Sequence, residues 1–174
     1  MMGDTPQIHR PAGTSGPLFR WPSTPQPSAR LTVADGDSCV SLQDRTVLGI
    51  FSPGQHQLPP QIPAGVDLWF CSGQSVAGNK VGGTVLRARV FGEYTYRVTA
   101  PHLLVPMAIE RGFADAPALD FNRAVMSAIG DALGATPANA ETLAAATPAI
   151  AAAINNRWTE LGVRFEGFTT LGGR

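Results

Sequence analysis

Residues Val90–Val105 read VFGEYTYRVTAPHLLV, and the fold turns on how this stretch is read. With its lead-in TVLRAR, the first part alternates as a half-buried strand does. Leu86, Ala88, Val90, Tyr94, Tyr96 and Val98 point one way. Arg87, Arg89, Glu93, Thr95 and Arg97 point the other, with Phe91 the exception. Gly92 interrupts the row near its middle and marks a bend or a bulge. Pro101 then suits the first turn of a helix, which Pro106 limits or kinks. The polar and aromatic residues therefore do not converge. Tyr94 and Tyr96 form a packing row, while Glu93 and Arg97 offer a surface pair on the opposite face. The stretch is a long, bent strand handing over to the first helix, not an active site.

Before it, the signals are those of β-structure. RLTVADGDSCVSLQDRTVLGIFSPGQHQL reads as short strands separated by turns at Ala34–Asp37, at Gln43-Asp44-Arg45 and at Pro53-Gly54. VDLWFCS is a further strand after the Pro-broken PPQIP. GQSVAGNKVGG lacks both the Lys-Ser/Thr ending of a phosphate loop and dinucleotide spacing, so it reads as a flexible linker.

After it, the signals are helical. PALDFNRAVMSAIGDALG aligns Phe121, Val125, Ile129 and Leu133 on one face and stops at Gly134. Thr136-Pro137 and Thr147-Pro148 each resemble a cap followed by a first-turn proline, which predicts two further helices. The second of these carries Ile150, Ile154, Trp158 and Leu161 on one stripe and ends at Gly162. VRFEGFTT alternates like a closing strand. The order β, then α, then a final β predicts an α+β domain: an antiparallel or mixed N-terminal sheet, several helices and a C-terminal strand.

The length of 174 residues suits one ordinary domain. Charged residues are only 15% of the chain, against about a quarter in soluble proteins, so part of the surface is either covered by a partner or filled by Gly, Pro and Ala. With 13 basic and 13 acidic residues the net charge is zero, which leaves little repulsion against self-association. The arginines are dispersed, with no stripe to track phosphates, so nucleic-acid binding has no support. The N-terminus has no apolar core of a secretory signal and no apolar run approaches the ~20 residues of a membrane span, which makes a cytoplasmic location the expectation. Cys39 and Cys71 then read as two buried thiols, with a disulfide the alternative. His9, His56 and His102 stand at no metal-ligand spacing, and there is no nucleophile elbow, paired carboxylate or phosphate loop. The chain is read as having no enzymatic activity, no metal and no cofactor.

Residues 1–17 are rich in Pro, Gly, Thr and Ser and read as a flexible arm ahead of a domain spanning 18–174. Leu18, Phe19 and Trp21 then form an aromatic cluster in a Pro-rich context. They are either a first edge strand packed on the domain or a docking peptide for a neighbouring protein. Ala149, Ala152 and Ala153 line the other side of the last helix, where small side chains admit close approach of another backbone or simply face water as good helix formers.

Four segments in order carry a family resemblance: FRWPS, then ARLTVADGDSCVSLQDRTVLGIFSPGQHQLP, then GEYTYRVTAPHLL, then ELGVRFEGFTT. Together they span Leu18 to Thr170 and resemble the SPFH (Band 7, stomatin/prohibitin/flotillin-like) domain, most closely the bacterial cytoplasmic branch labelled "virion core protein". Ala100 stands where the family pattern has Asp before the proline, so the first helix lacks its capping oxygen unless Thr99 supplies it. The resemblance implies a non-catalytic scaffold that forms homo-oligomers and recruits partner proteins, and whose membrane association is peripheral and indirect. The alternative is an accessory or cargo-type protein that docks on a larger particle through its N-terminal arm.

Overall fold

A computed structural model describes residues 5–174 and shows an α+β fold of ten strands and three α-helices among those residues. The chain divides into two compact units. The first comprises residues up to Gln74 together with Ala100–Ala114; the second comprises Ser75–Thr99 and Asp115–Arg174. Each unit is thus assembled from two separate stretches of chain.

In the first unit, β1 (Gln7–His9), β3 (Arg30–Val33) and β6 (Gly54–Gln57) form a mixed sheet in the order β1-β3-β6, β1 running parallel to β3. A second sheet has the order β2-β7-β4-β5, from β2 (Leu18–Arg20), β7 (Val66–Ser72), β4 (Asp37–Gln43) and β5 (Thr46–Phe51). Asp44 and Arg45 join β4 to β5 with φ of +48° and +69°, the two left-handed positions that a two-residue hairpin turn demands. Alternation along β4 and β7 splits their side chains between two cores. Cys39, Leu68 and Phe70 face Ile8, Leu31 and Val33 of the other sheet. Val40, Leu42 and Trp69 face Val105 of helix α1 (Pro101–Glu110). The result is a sheet–sheet–helix stack, and each fully buried large apolar side chain in it contributes about 1.5–3 kcal/mol.

The arm read as flexible is partly built into this stack. Ile8 is 2% exposed in the first core, and β1 hydrogen-bonds along β3. Arg10 follows, half-closed over an ion pair with Asp37 at 3.8 Å and donating to Thr14 Oγ1 at 2.8 Å. One apolar residue and one arginine suffice to anchor a segment whose composition otherwise reads as coil.

In the second unit, β8 (Ser75–Val85), β9 (Ala88–Val98) and β10 (Val163–Gly173) form an antiparallel sheet with β9 in the centre. The glycine-rich stretch read as a linker is therefore strand β8. Its Val81 is buried, and paired backbone groups replace the side-chain signal that Gly78, Gly82 and Gly83 remove. The long strand expected from Thr84 onward is also divided. Leu86 and Arg87 take φ of +47° and +69° and make the β8–β9 hairpin turn without the usual Asn or Gly. Gly92 is not a bulge: pairing runs through it on both sides, to Leu171 and to Val81. A Cβ there would lie 2.8 Å from the Thr170 carbonyl oxygen, so close strand approach is what requires the glycine.

Helix α2 (Pro117–Leu133) buries Phe121, Val125, Ile129 and Leu133 and ends at Gly134, which takes φ +56°. The two further helices merge into one, α3 (Ala140–Trp158). Neither threonine acts as its cap. Asn139 does, its Oδ1 accepting from the Thr142 N–H at 3.0 Å while Thr142 Oγ1 accepts from the Asn139 N–H at 3.0 Å. Thr147 instead donates back to the Leu143 carbonyl at 2.8 Å, and Pro148 lies inside the helix. Trp158 sits among Tyr94, Tyr96, Phe121 and Phe165, with ring centroids 4.9–6.2 Å away.

Candidate interaction surface

The opening stretch holds no convergent chemistry. Tyr94 is fully buried, and its phenol donates to Asn122 Oδ1 at 2.7 Å; burial pushes its pKa well up. Glu93 and Arg97 do not pair with each other, because four residues of strand separate them by about 13 Å. Arg97 instead pairs with Glu166 at 2.9 Å across the sheet, and Ser75 bridges the two, donating to Glu166 at 2.6 Å and accepting from Arg97 at 2.8 Å. These groups are largely exposed, so the network contributes little to stability.

The thiols are chemically quiet. Cys39 lies opposite Phe70 and Cys71 opposite Ser38 on adjacent strands, so their side chains leave opposite faces of the sheet, and both are free. Burial pushes the Cys39 thiol up to about 12 despite a backbone hydrogen bond from Trp69. Burial likewise raises Cys71 to about 12, with Arg10 opposing the shift and Asp37 adding to it. Neither supplies thiolate at neutral pH. His56 Nε2–H donates to the Ser52 carbonyl oxygen at 2.7 Å and the ring stacks edge-on to Phe51 at 5.3 Å, so it serves the β5–β6 corner. Among the described residues no three His, Cys, Asp or Glu are grouped to hold a metal, and no helix is long and apolar enough to cross a membrane.

Leu18, Phe19 and Trp21 occupy the edge strand β2 and its end. Phe19 packs on Phe70 at 6.3 Å, the Trp21 N–H donates to the Leu68 carbonyl at 2.9 Å, and Leu18 leans on the α1-facing core. All three are half-buried against their own unit. An arm that docks elsewhere would have to withdraw them from that core. Ala149 and Ala152 are exposed on α3 and Ala153 is half-buried. The aromatic cluster and the alanines belong to different units. The N-cap of α1 is Ala100 with no side-chain cap, since Thr99 donates its hydroxyl to the Gly162 carbonyl at 3.1 Å instead.

The surface that stands out was not singled out from the sequence. Strand β5 is an outer strand of its sheet, paired to β4 alone. Its Leu48 and Ile50 are 50% and 49% exposed, and Thr46–Phe51 contains no charged residue. Natural edge strands usually carry charge, proline or a covering element to block further pairing. Beside β5 lies an open cavity of about 210 Å³ whose walls include Leu48, Gly49, Phe51, Ile62 and Pro63. Ser41 is its one hydroxyl, and that already donates to the Gly49 carbonyl at 3.3 Å. The run TVLGIF is apolar at nearly every position, a signal of this surface that reads equally as a strand buried on both faces. Arrangement and chemistry suit burial against another polypeptide. No family model matches this chain, and no curated protein does.

Proposed function

We propose that this chain is a non-catalytic scaffold of the SPFH type, which associates with copies of itself and recruits partner proteins. The observation that carries the reading is the bare, uncharged edge of β5 with its two half-exposed aliphatic side chains. An exposed apolar edge of this kind is a liability in an isolated protein and an asset in one that assembles. The zero net charge supports the same reading, because it leaves copies free to approach. Membrane association, where it occurs, is peripheral and reached through partners. The experiment is multi-angle light scattering over a wide range of protein concentration. Mass that rises above that of one chain is the expected result; a strict monomer at the highest concentration overturns the proposal.

A further inference from the structure

The bulge in β5 gives its edge a symmetry that a regular strand lacks. Ser41 of β4 pairs with Gly49 and the next residue, Leu42, pairs with Val47, so Leu48 is the extra residue. Val47 packs in the α1-facing core, and Ile50 lies opposite Val40 of that same core. Leu48, Gly49 and Phe51 instead line the cavity on the other face. Thr46 does not line the cavity, but it lies opposite Gln43, which alternation puts on the same side of the sheet as Ser41. From Thr46 to Phe51 the sides therefore run cavity, helix, cavity, cavity, helix, cavity. That order is the same in both directions, centred on the Leu48–Gly49 peptide.

Resting on the assembly reading, we infer that the β5 edge pairs antiparallel with β5 of a second copy about a two-fold axis at Leu48–Gly49. Antiparallel pairing requires directly opposite residues to share a face. The palindromic face order satisfies this at every position of the strand. Val47 lies opposite Ile50 of the second copy on the helix face. Leu48 lies opposite Gly49 of the second copy, at the mouth of that copy's cavity, where the glycine leaves room for it. The strand carries no charge, so nothing in it repels its own image. The contact engages six residues a side, against about 20–30 in a standard interface, so it forms a reversible dimer rather than a permanent one.

Sedimentation velocity across protein concentration measures the dissociation constant for wild type, Leu48→Lys, Ile50→Lys and Leu86→Lys. Both β5 side chains are half-exposed, so the substitutions leave the fold intact, which circular dichroism and thermal unfolding verify on the same samples. The expected result is a rise of roughly tenfold or more in the dissociation constant for both β5 variants, equal to about 1.4 kcal/mol. Leu86→Lys, at the equally exposed β8–β9 turn, stays at the wild-type value. Leu48→Cys places two thiols beside the axis, and mild oxidation yields a covalent dimer, whereas Leu86→Cys does not. Oligomers that persist unchanged in both lysine variants overturn the β5 pairing while leaving the scaffold reading standing. A wild-type protein that stays monomeric, including one whose β5 edge binds an extended peptide of another protein instead, overturns both the pairing and self-assembly.

Discussion

At the scale of single residues, the polar atoms that matter most are buried and structural. Tyr94 carries its hydroxyl into the second core because Asn122 on α2 accepts the hydrogen bond there. Tyr94→Phe strands that amide oxygen in a half-buried site. The expected loss is about 1–2 kcal/mol in urea unfolding, with the β9 strand retained. The thiols predict an alkaline limit. Both Cys39 and Cys71 rise from an ordinary 9.0 to about 12 in the folded state. Because the folded pKa is raised, the native chain holds protons that the unfolded chain gives up. Stability is therefore intact below pH 9 and falls as pH climbs from 9 toward 12. Urea midpoints measured from neutral pH upward should trace that decline, and Cys39→Ala should remove about half of it, leaving the Cys71 part. A wild-type midpoint level to pH 11 would refute the assignment.

At the scale of elements, helix α3 shows where sequence signals mislead. Two Thr-Pro pairs look like two helix starts, because each offers a capping hydroxyl and a pre-set φ. Asn139 wins at the first site since it closes a reciprocal pair of hydrogen bonds with Thr142, which Thr136 does not. At the second, Ile150, Ile154 and Trp158 continue the apolar stripe begun by Leu143, and their burial outweighs an interior proline. Asn139→Ala should cost about 1 kcal/mol, read from thermal unfolding. Pro148→Ala should stabilise: it returns a donor to the Ala144 carbonyl and relieves a ring clash worth up to about 3 kcal/mol in a helix interior. Added unfolded-state entropy offsets about 0.4–1 kcal/mol of that. A Tm for Pro148→Ala at or below wild type would show that the helix needs the proline. Helix α2 and the strands β3, β4, β5 and β7 were legible because side-chain periodicity and turn residues agree there. Strand β8 was not, since glycines at 78, 82 and 83 erase the alternation while backbone pairing still holds the strand. The β5 edge escaped for a related reason: an all-apolar run states that a strand is buried or sticky, and only the sheet order separates the two.

At the scale of the whole molecule, the chain passes from the first unit to the second, back, and across again, at residues 74/75, 99/100 and 114/115. Such threading makes neither unit a contiguous fragment, so stretch boundaries in sequence do not mark cores. Every member of the two clusters around Phe70 and Trp69 lies in the first unit, and every ring around Trp158 lies in the second. Trp158→Ala removes a side chain that is 1% exposed and leaves Tyr94, Tyr96, Phe121 and Phe165 facing a void. The transfer and cavity terms together come to about 3–5 kcal/mol. Because every ring around Trp158 belongs to the second unit, that loss should fall there first. Hydrogen exchange should lose protection in β8–β10, α2 and α3, while the amides of β3, β4 and β7 keep theirs. Equal loss of protection in both sets would mean that the two units unfold as one cooperative body.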